Sequence, residues 1–178
     1  MKYIVTAPKT IDVTIDLPSS KSICNRALVM HALAGGGCLP DNLSDCDDTD
    51  VMVKALCNNP DVIDIKAAGT AMRFLTAYYS VGSGEHLITG TERMRHRPIG
   101  LLVDALRYLG AEIEYADEDG FPPLLVRGKK LEGGPLEMPG NVSSQYISAL
   151  LMIGPALSKG IELHLKGNIV SRPYIDLT

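Results

Sequence analysis

Two kinds of segment alternate along this chain, and that alternation restricts it to a layered α/β architecture built from repeated units. The first kind is a turn of small residues running into an apolar helix that stops ahead of an extended segment. It occurs as Ser19-Ser20-Lys21-Ser22 through Leu33-Ala34-Gly35, as Ala68-Gly69-Thr70-Ala71 through Tyr78-Tyr79-Ser80, and as Asn141-Val142-Ser143-Ser144-Gln145 through Leu157-Ser158-Lys159-Gly160. Hydroxyl and small residues suit the helix starts, and glycine suits the stops. Residues 85–89 and 161–165, which follow the second and third copies, alternate apolar with polar as half-buried strands do.

The second kind is a polar loop followed by an amphipathic helix. Residues 44–50 lead into 51–56, and 93–99 lead into 101–107. Residues 171–177 repeat the pattern with Pro173 in the first helical turn, where its missing N–H costs nothing. The middle copy runs on through 110–115, an acidic turn and 123–127, which reads as a hairpin. The implied unit is β-α-β-α-β-β, used more than twice and incomplete in its last copy. The expected fold is therefore α/β, with pseudo-symmetric mixed sheets around helices that the sheets partly enclose. Residues 1–16 alternate like a strand, and residues 17–178 read as one domain of such units.

Composition narrows the function. The chain has 178 residues, is 46% hydrophobic and carries a net charge of −4, so it can bury a core. Its Lys and Arg side chains are scattered and only 5% of residues are aromatic, which argues against a nucleic-acid surface. The first residues lack a signal peptide's plan, and no apolar run approaches the ~18 residues of a membrane helix. The reading is a cytoplasmic protein without a membrane partner. Cys24, Cys38, Cys46 and Cys57 are too far apart for a zinc knuckle or a redox pair. His31, His86, His96 and His164 complete no ligand pattern, so no metal is expected; His96, between Arg95 and Arg97, reads as a surface residue. The acidic run Asp45 to Asp50 lacks the glycine and distal glutamate of a calcium loop, and helix capping accounts for it.

A repeat alone implies no ligand, since solenoids stack such units without one. What points to chemistry is where the polar residues fall. Lys21, Arg26, Ser143, Ser144 and Gln145 cluster at or just after helix starts. An ordinary cap needs one hydroxyl. Two hydroxyls with a lysine, or two with an amide, suit an oxyanion held by side chains, backbone N–H groups and the positive end of a helix dipole.

Five separated motifs then converge on one family. Pro18-Ser19-Ser20-Lys21-Ser22 with Asn25-Arg26-Ala27-Leu28, Ala68-Gly69-Thr70-Ala71-Met72-Arg73, Arg93-Met94 with Arg97-Pro98-Ile99-Gly100, Val142-Ser143-Ser144-Gln145 and Val170-Ser171-Arg172-Pro173-Tyr174 resemble, in order, those of the 5-enolpyruvylshikimate-3-phosphate synthases. The resemblance implies a transferase of aromatic amino-acid synthesis that uses no cofactor. It moves the enolpyruvyl group of phosphoenolpyruvate onto the 5-hydroxyl of shikimate 3-phosphate. By the same resemblance Lys21 and Gln145 contact both substrates, and Ser22, Arg26 and Ser171 contact shikimate 3-phosphate. Ser143 and Ser144 hold its phosphate, while Gly69 and Arg97 serve phosphoenolpyruvate. Tyr174 packs along the substrate ring or in the core, and Arg73 reads as a structural ion-pair partner. Asp104 and Asp176 read as caps or surface charges.

Two departures stand out. Ala67 replaces an asparagine common before Ala-Gly-Thr in the family. Family members are also more than twice as long, with two domains and the ligands between them. The resemblance thus places residues 1–16 as a strand of the distal domain and residues 17–178 as most of the other, with the C-terminal domain and its catalytic groups missing. Such a half binds without turning over. The alternatives are the related enolpyruvyl transferase acting on UDP-N-acetylglucosamine, which would need a reactive cysteine in a glycine-rich loop, and a non-catalytic anion-binding module.

Overall fold

Helix α3 (Gly69–Val81) lies at the centre of the molecule, with every residue but Tyr78 and Val81 buried. A helix apolar on all sides must be enclosed, and its two inward hydroxyls are satisfied within it: Thr76 donates to Met72 O at 2.6 Å and Ser80 to Thr76 O at 2.7 Å. The computed structural model describes residues 2–36 and 39–178; Cys38 lies outside the described residues. Helices α1 (Lys21–Leu33), α2 (Asp47–Asn58) and the largely buried α6 (Ser144–Ile153) pack on α3.

The sheets flank these helices. Strands β1 (Val62–Asp64), β2 (Glu85–Thr89), β3 (Glu112–Tyr115) and β4 (Leu124–Arg127) form one mixed sheet in the order β1-β2-β4-β3. The β1–β2 pair is parallel and the other two are antiparallel. Ile63, Ile88, Ile113, Leu124 and Val126 point into the core. The opposite face is charged: Arg127 bonds both Glu85 (2.7 Å) and Glu114, and Lys129 bonds Glu112 (2.6 Å). One face apolar and one face ionic is what the alternation of residues 85–89 requires. Strands β5 (Gly134–Pro139) and β6 (Ile161–Lys166) form a second, parallel sheet.

With α4 (Glu92–Arg95) and α5 (Gly100–Tyr108) in place, the middle stretch realises the whole β-α-β-α-β-β unit as β1-α3-β2-α5-β3-β4. The next follows it as β5-α6-β6-α7, where α7 is Arg172–Leu177. The first unit supplies α1 and α2, and no strand precedes either of them among the described residues. Residues 2–20 form neither helix nor strand, and Val5, Ile11, Val13 and Ile15 are exposed. The strand expected over 1–16 therefore has no sheet to join here, because an extended backbone becomes a strand only where another edge accepts its hydrogen bonds.

The turn from α2 to β1 takes only residues 59–61 and is fastened from the middle unit. Asn59 adopts the left-handed conformation (φ 45°) and its N–H closes on Ala55 O. The Tyr79 hydroxyl also donates to Ala55 O at 2.8 Å, and His86 Nδ1 lies 2.9 Å from Pro60 O. The two rings pack at a tilt of 40° with centroids 4.2 Å apart, so one buried aromatic pair holds both ends of the short turn.

Candidate functional site

Three helix starts open onto one hollow of about 430 Å³. From α1 come Lys21, Ser22 and, one turn in, Arg26; from α3 comes Thr70; from α6 come its cap Ser143 and then Ser144 and Gln145. Arg97, in the loop before α5, and Tyr174 of α7 close the rim. Three N-terminal helix ends aimed at one space supply unsatisfied N–H groups and positive partial charge, which is an anion's requirement.

The side chains agree with the backbone. Among the described residues no carboxylate lines the hollow, against the three cations Lys21, Arg26 and Arg97, on a chain whose net charge is −4. One carboxylate touches this set: Asp48, in the first turn of α2, lies 3.6 Å from Lys21 Nζ. The start of α2 is itself fixed on α1 by Thr49 Oγ1, which donates to the buried Asn25 Oδ1 at 2.9 Å. On α6, Ser143 Oγ accepts from Gln145 N at 3.3 Å, so its hydroxyl hydrogen remains free for a ligand. Gln145 Nε2 donates to Thr70 Oγ1 at 3.1 Å, joining two helix starts across the floor.

Gly69 sits beneath the arginines. A Cβ built there would lie 2.3 Å from Arg97 Nη1 and 2.9 Å from Arg73 Nη1. Any side chain at this position would push the Arg97 guanidinium off the turn, so the glycine secures a close approach of cation and backbone.

Arg73 corrects an expectation. It was expected to be an ion-pair partner, yet among the described residues it meets no carboxylate. It is buried, donates to Gly69 O (2.8 Å) and Pro98 O (3.3 Å), and lies 5.7 Å over the Tyr146 ring. Among the described residues its Nε has no hydrogen-bond partner. Burial pulls this guanidinium below its ordinary range, and the charge of Arg97 adds to the effect. Two arginines crowded without a counter-ion raise the positive potential at Gly69.

Seven of the nine expected site residues, Lys21, Ser22, Arg26, Arg97, Ser143, Ser144 and Gln145, line the hollow, and Gly69 lies under Arg97. Ser171 does not line it. In the left-handed conformation (φ 53°), it stands at the N-cap position of the exposed helix α7, where its backbone carbonyl accepts from Tyr174 N and its side chain makes no capping bond. Tyr174 borders the hollow and is 48% exposed, so it is not a core residue. Thr70 was missed, although a hydroxyl right after Gly69 at a helix start was its signal. A larger hollow of about 630 Å³ between α5 and β5 has a mainly apolar floor of Leu101, Ala105, Tyr108, Leu136 and Met138 and no lysine or arginine. Chemistry rather than size marks the site. Among the described residues no cluster of His, Cys, Asp or Glu is placed to hold a metal ion.

The profile of EPSP synthase (3-phosphoshikimate 1-carboxyvinyltransferase) matches residues 5–58 and 55–178. The chain belongs to the EPSP synthase family. It is 64% identical over 178 residues to the 3-phosphoshikimate 1-carboxyvinyltransferase of Bacteroides fragilis (ATCC 25285), covering all of this chain and 43% of that protein. To the protein of the same description from Shewanella pealeana it is 42% identical over 196 aligned residues, 96% of this chain and 46% of that protein. The chain thus spans less than half the length of these curated EPSP synthase relatives. The solved EPSP synthase from Acinetobacter baumannii superposes with a TM-score of 0.71 at 18% identity, over 91% of this chain and 42% of that one, so the fold is the enolpyruvyl transferase fold.

The profile match is split where α2 hands over to β1, at residues 55–58, and the Shewanella alignment is longer than this chain. Relatives of that kind therefore carry residues that this chain lacks. No helix among the described residues is long and apolar enough to cross a membrane.

Proposed function

We propose that this chain is the shikimate 3-phosphate-binding half of a cytoplasmic enzyme that transfers the enolpyruvyl group of phosphoenolpyruvate to the substrate's 5-hydroxyl and releases phosphate. The observation that carries this reading is the convergence of the α1, α3 and α6 starts on a carboxylate-free hollow lined by Lys21, Arg26 and Arg97. Ser143, with its free hydroxyl hydrogen, and Ser144 at the α6 start hold the substrate phosphate. Ser22 and Arg26 orient the ring, and Ser171, just before α7 and outside the hollow as it stands, is a further contact to the same substrate. Gly69 and Arg97 receive phosphoenolpyruvate on the other side, with Lys21 and Gln145 between the two ligands. A flexible ammonium and an amide suit that shared place, since each reaches acceptors on either side.

Addition of the 5-hydroxyl to C2 of the enol phosphate, with a proton delivered to the methylene, and then loss of phosphate and of a proton from the resulting methyl to give the enol ether, needs acid and base groups on both faces of the ligand. The hollow holds three cations and no carboxylate, so these groups belong to the remainder of the protein. Residues 2–16, exposed here and in neither helix nor strand, pair with a sheet of that remainder. An assay of phosphate release from both substrates tests the reading. The full-length protein is expected to turn over, and this chain alone to bind and stay silent. A full-length protein that leaves both substrates untouched overturns the assignment.

A further inference from the structure

Arg26 is buried, yet it reaches the hollow. Its Nε donates to Thr178 Oγ1 at 2.6 Å and one terminal nitrogen to Ser22 O at 2.9 Å. The other terminal nitrogen donates to Ser148 Oγ at 2.8 Å and to Tyr174 O at 3.2 Å, and the guanidinium lies 5.4 Å over the Phe74 ring. A guanidinium has five N–H bonds. Four are spoken for within the fold, so a ligand receives one, and its direction is set by the others.

Ser148 is the fully buried member of that set. It lies one turn beyond Ser144 on the same face of α6, below the helix start that lines the hollow. Serine and threonine inside a helix ordinarily return their hydroxyl to the carbonyl four residues back, as Thr76 and Ser80 do in α3. Ser148 turns instead to Arg26, accepting its N–H, and shares its own hydrogen with Thr178 Oγ1 (2.8 Å) and Tyr174 O (3.4 Å). Helix α7 has no buried residue. Its place on the body is therefore held by this knot, with Ile175 packed partly against the core.

We propose that Ser148 is a positioning residue. It fixes the rotation of the Arg26 guanidinium so that the one free N–H faces the ligand, and it ties that orientation to the seat of α7. The identity of the ligand rests on the function proposed above; the geometry of Ser148 and Arg26 does not. A hydroxyl is needed here because its oxygen accepts from Arg26 while its hydrogen goes to α7, and an alanine would leave a buried N–H unmet.

The test is calorimetric titration of this chain and its Ser148→Ala and Ser148→Thr variants with shikimate 3-phosphate and, separately, with inorganic phosphate. Ser148→Ala is expected to weaken shikimate 3-phosphate about tenfold, the scale of one hydrogen bond to a charged group. Inorganic phosphate, held by Ser143 and Ser144, should change less than twofold, and Ser148→Thr should restore the substrate to within about twofold of the parent. A purely structural serine would weaken both ligands together. That result, or unchanged affinity in Ser148→Ala, overturns the proposal. Should Ser148→Ala not fold, Ser148→Cys, of similar volume and poor as an acceptor, carries the same comparison.

A parent chain that binds neither ligand would count against the proposed function. The positioning role is then read from nitrogen NMR of Arg26, whose terminal N–H signals should be separate in the parent and in Ser148→Thr and averaged in Ser148→Ala. Separate signals in all three overturn it.

Discussion

Lys21 Nζ and Asp48 Oδ1 face each other at 3.6 Å across the starts of α1 and α2. The lysine is about half exposed and the aspartate mostly covered, so the pair itself contributes little to stability, on the order of 0–1 kcal/mol. Its effect is on the hollow. Asp48 restrains the ammonium that an anionic ligand must recruit, and it places a negative charge close to that ligand.

Replacing this carboxylate should strengthen anion binding. Asp48→Asn is expected to raise the affinity for inorganic phosphate about twofold to threefold and to move the folding free energy by less than about 1 kcal/mol. Lys21→Met should lower the same affinity about tenfold. Calorimetric titration of the three proteins reads both effects, and a weaker Asp48→Asn variant would mean that orientation of Lys21 outweighs its partial neutralisation.

The proposed function puts Gly69 on the phosphoenolpyruvate side alone, a distinction kinetics can see. Gly69→Ala adds a Cβ that must displace Arg97 Nη1 from 2.3 Å and Arg73 Nη1 from 2.9 Å; both are side-chain tips, the first exposed and free to yield, the second buried but needing to give by only a few tenths of an ångström, and alanine suits a helix at least as well as glycine does. The variant should fold with its melting midpoint within a few degrees of the parent's. In the full-length protein its KM for phosphoenolpyruvate should rise about tenfold or more, with that for shikimate 3-phosphate nearly unchanged. Equal rises in both would remove Gly69 from the phosphoenolpyruvate side.

The aromatic fastening of the α2–β1 turn gives a stability prediction. Tyr79→Phe leaves the buried Ala55 O with one bond fewer and should cost about 1–2 kcal/mol in chemical denaturation. Burial, reinforced by Tyr78, pushes the Tyr79 phenol well above its ordinary value. The folded state therefore keeps the proton that the unfolded chain gives up from about pH 10 upward. The stability this confers is complete below that pH and is lost as pH rises toward the folded-state value. The Tyr79→Phe variant should lose less stability than the parent between neutral pH and pH 11, as urea midpoints at both would show. Parallel decline of the two proteins would place the alkaline loss in Tyr78 and Tyr115, whose phenols burial also raises.

How much of this was legible in the sequence depends on which signals need only neighbours. The helices at 21–33, 69–81, 100–108 and 144–153 and the strands at 85–89 and 161–166 follow from periodicity and from turn residues at their ends. Strand β5 hides its period behind Pro135 and Pro139, which an edge strand tolerates because it pairs on one side only. Strand β1 has three residues, too few for alternation to register. Residues 2–16 have the alternation but no partner edge, and a partner is not a property of the segment itself.

The site divides in the same way. Hydroxyls and cations at helix starts could be read directly, because a cap and an anion site share one local geometry. The role of Arg73 could not, since Gly69 O and Pro98 O become acceptors only after α3 meets the loop before α5. Ser148 was likewise silent: a lone serine in an apolar helix shows its purpose only beside Arg26 and Tyr174 O.

The most direct test of the account is titration of this chain with shikimate 3-phosphate beside its Ser143→Ala/Ser144→Ala variant. The account requires saturable binding by the parent, weakened at least about a hundredfold in the variant, with melting midpoints that stay close because both side chains lie at a helix start. Binding that survives the double substitution, or none by a folded parent, would contradict the claim that the α6 start in this half of the protein holds the substrate phosphate.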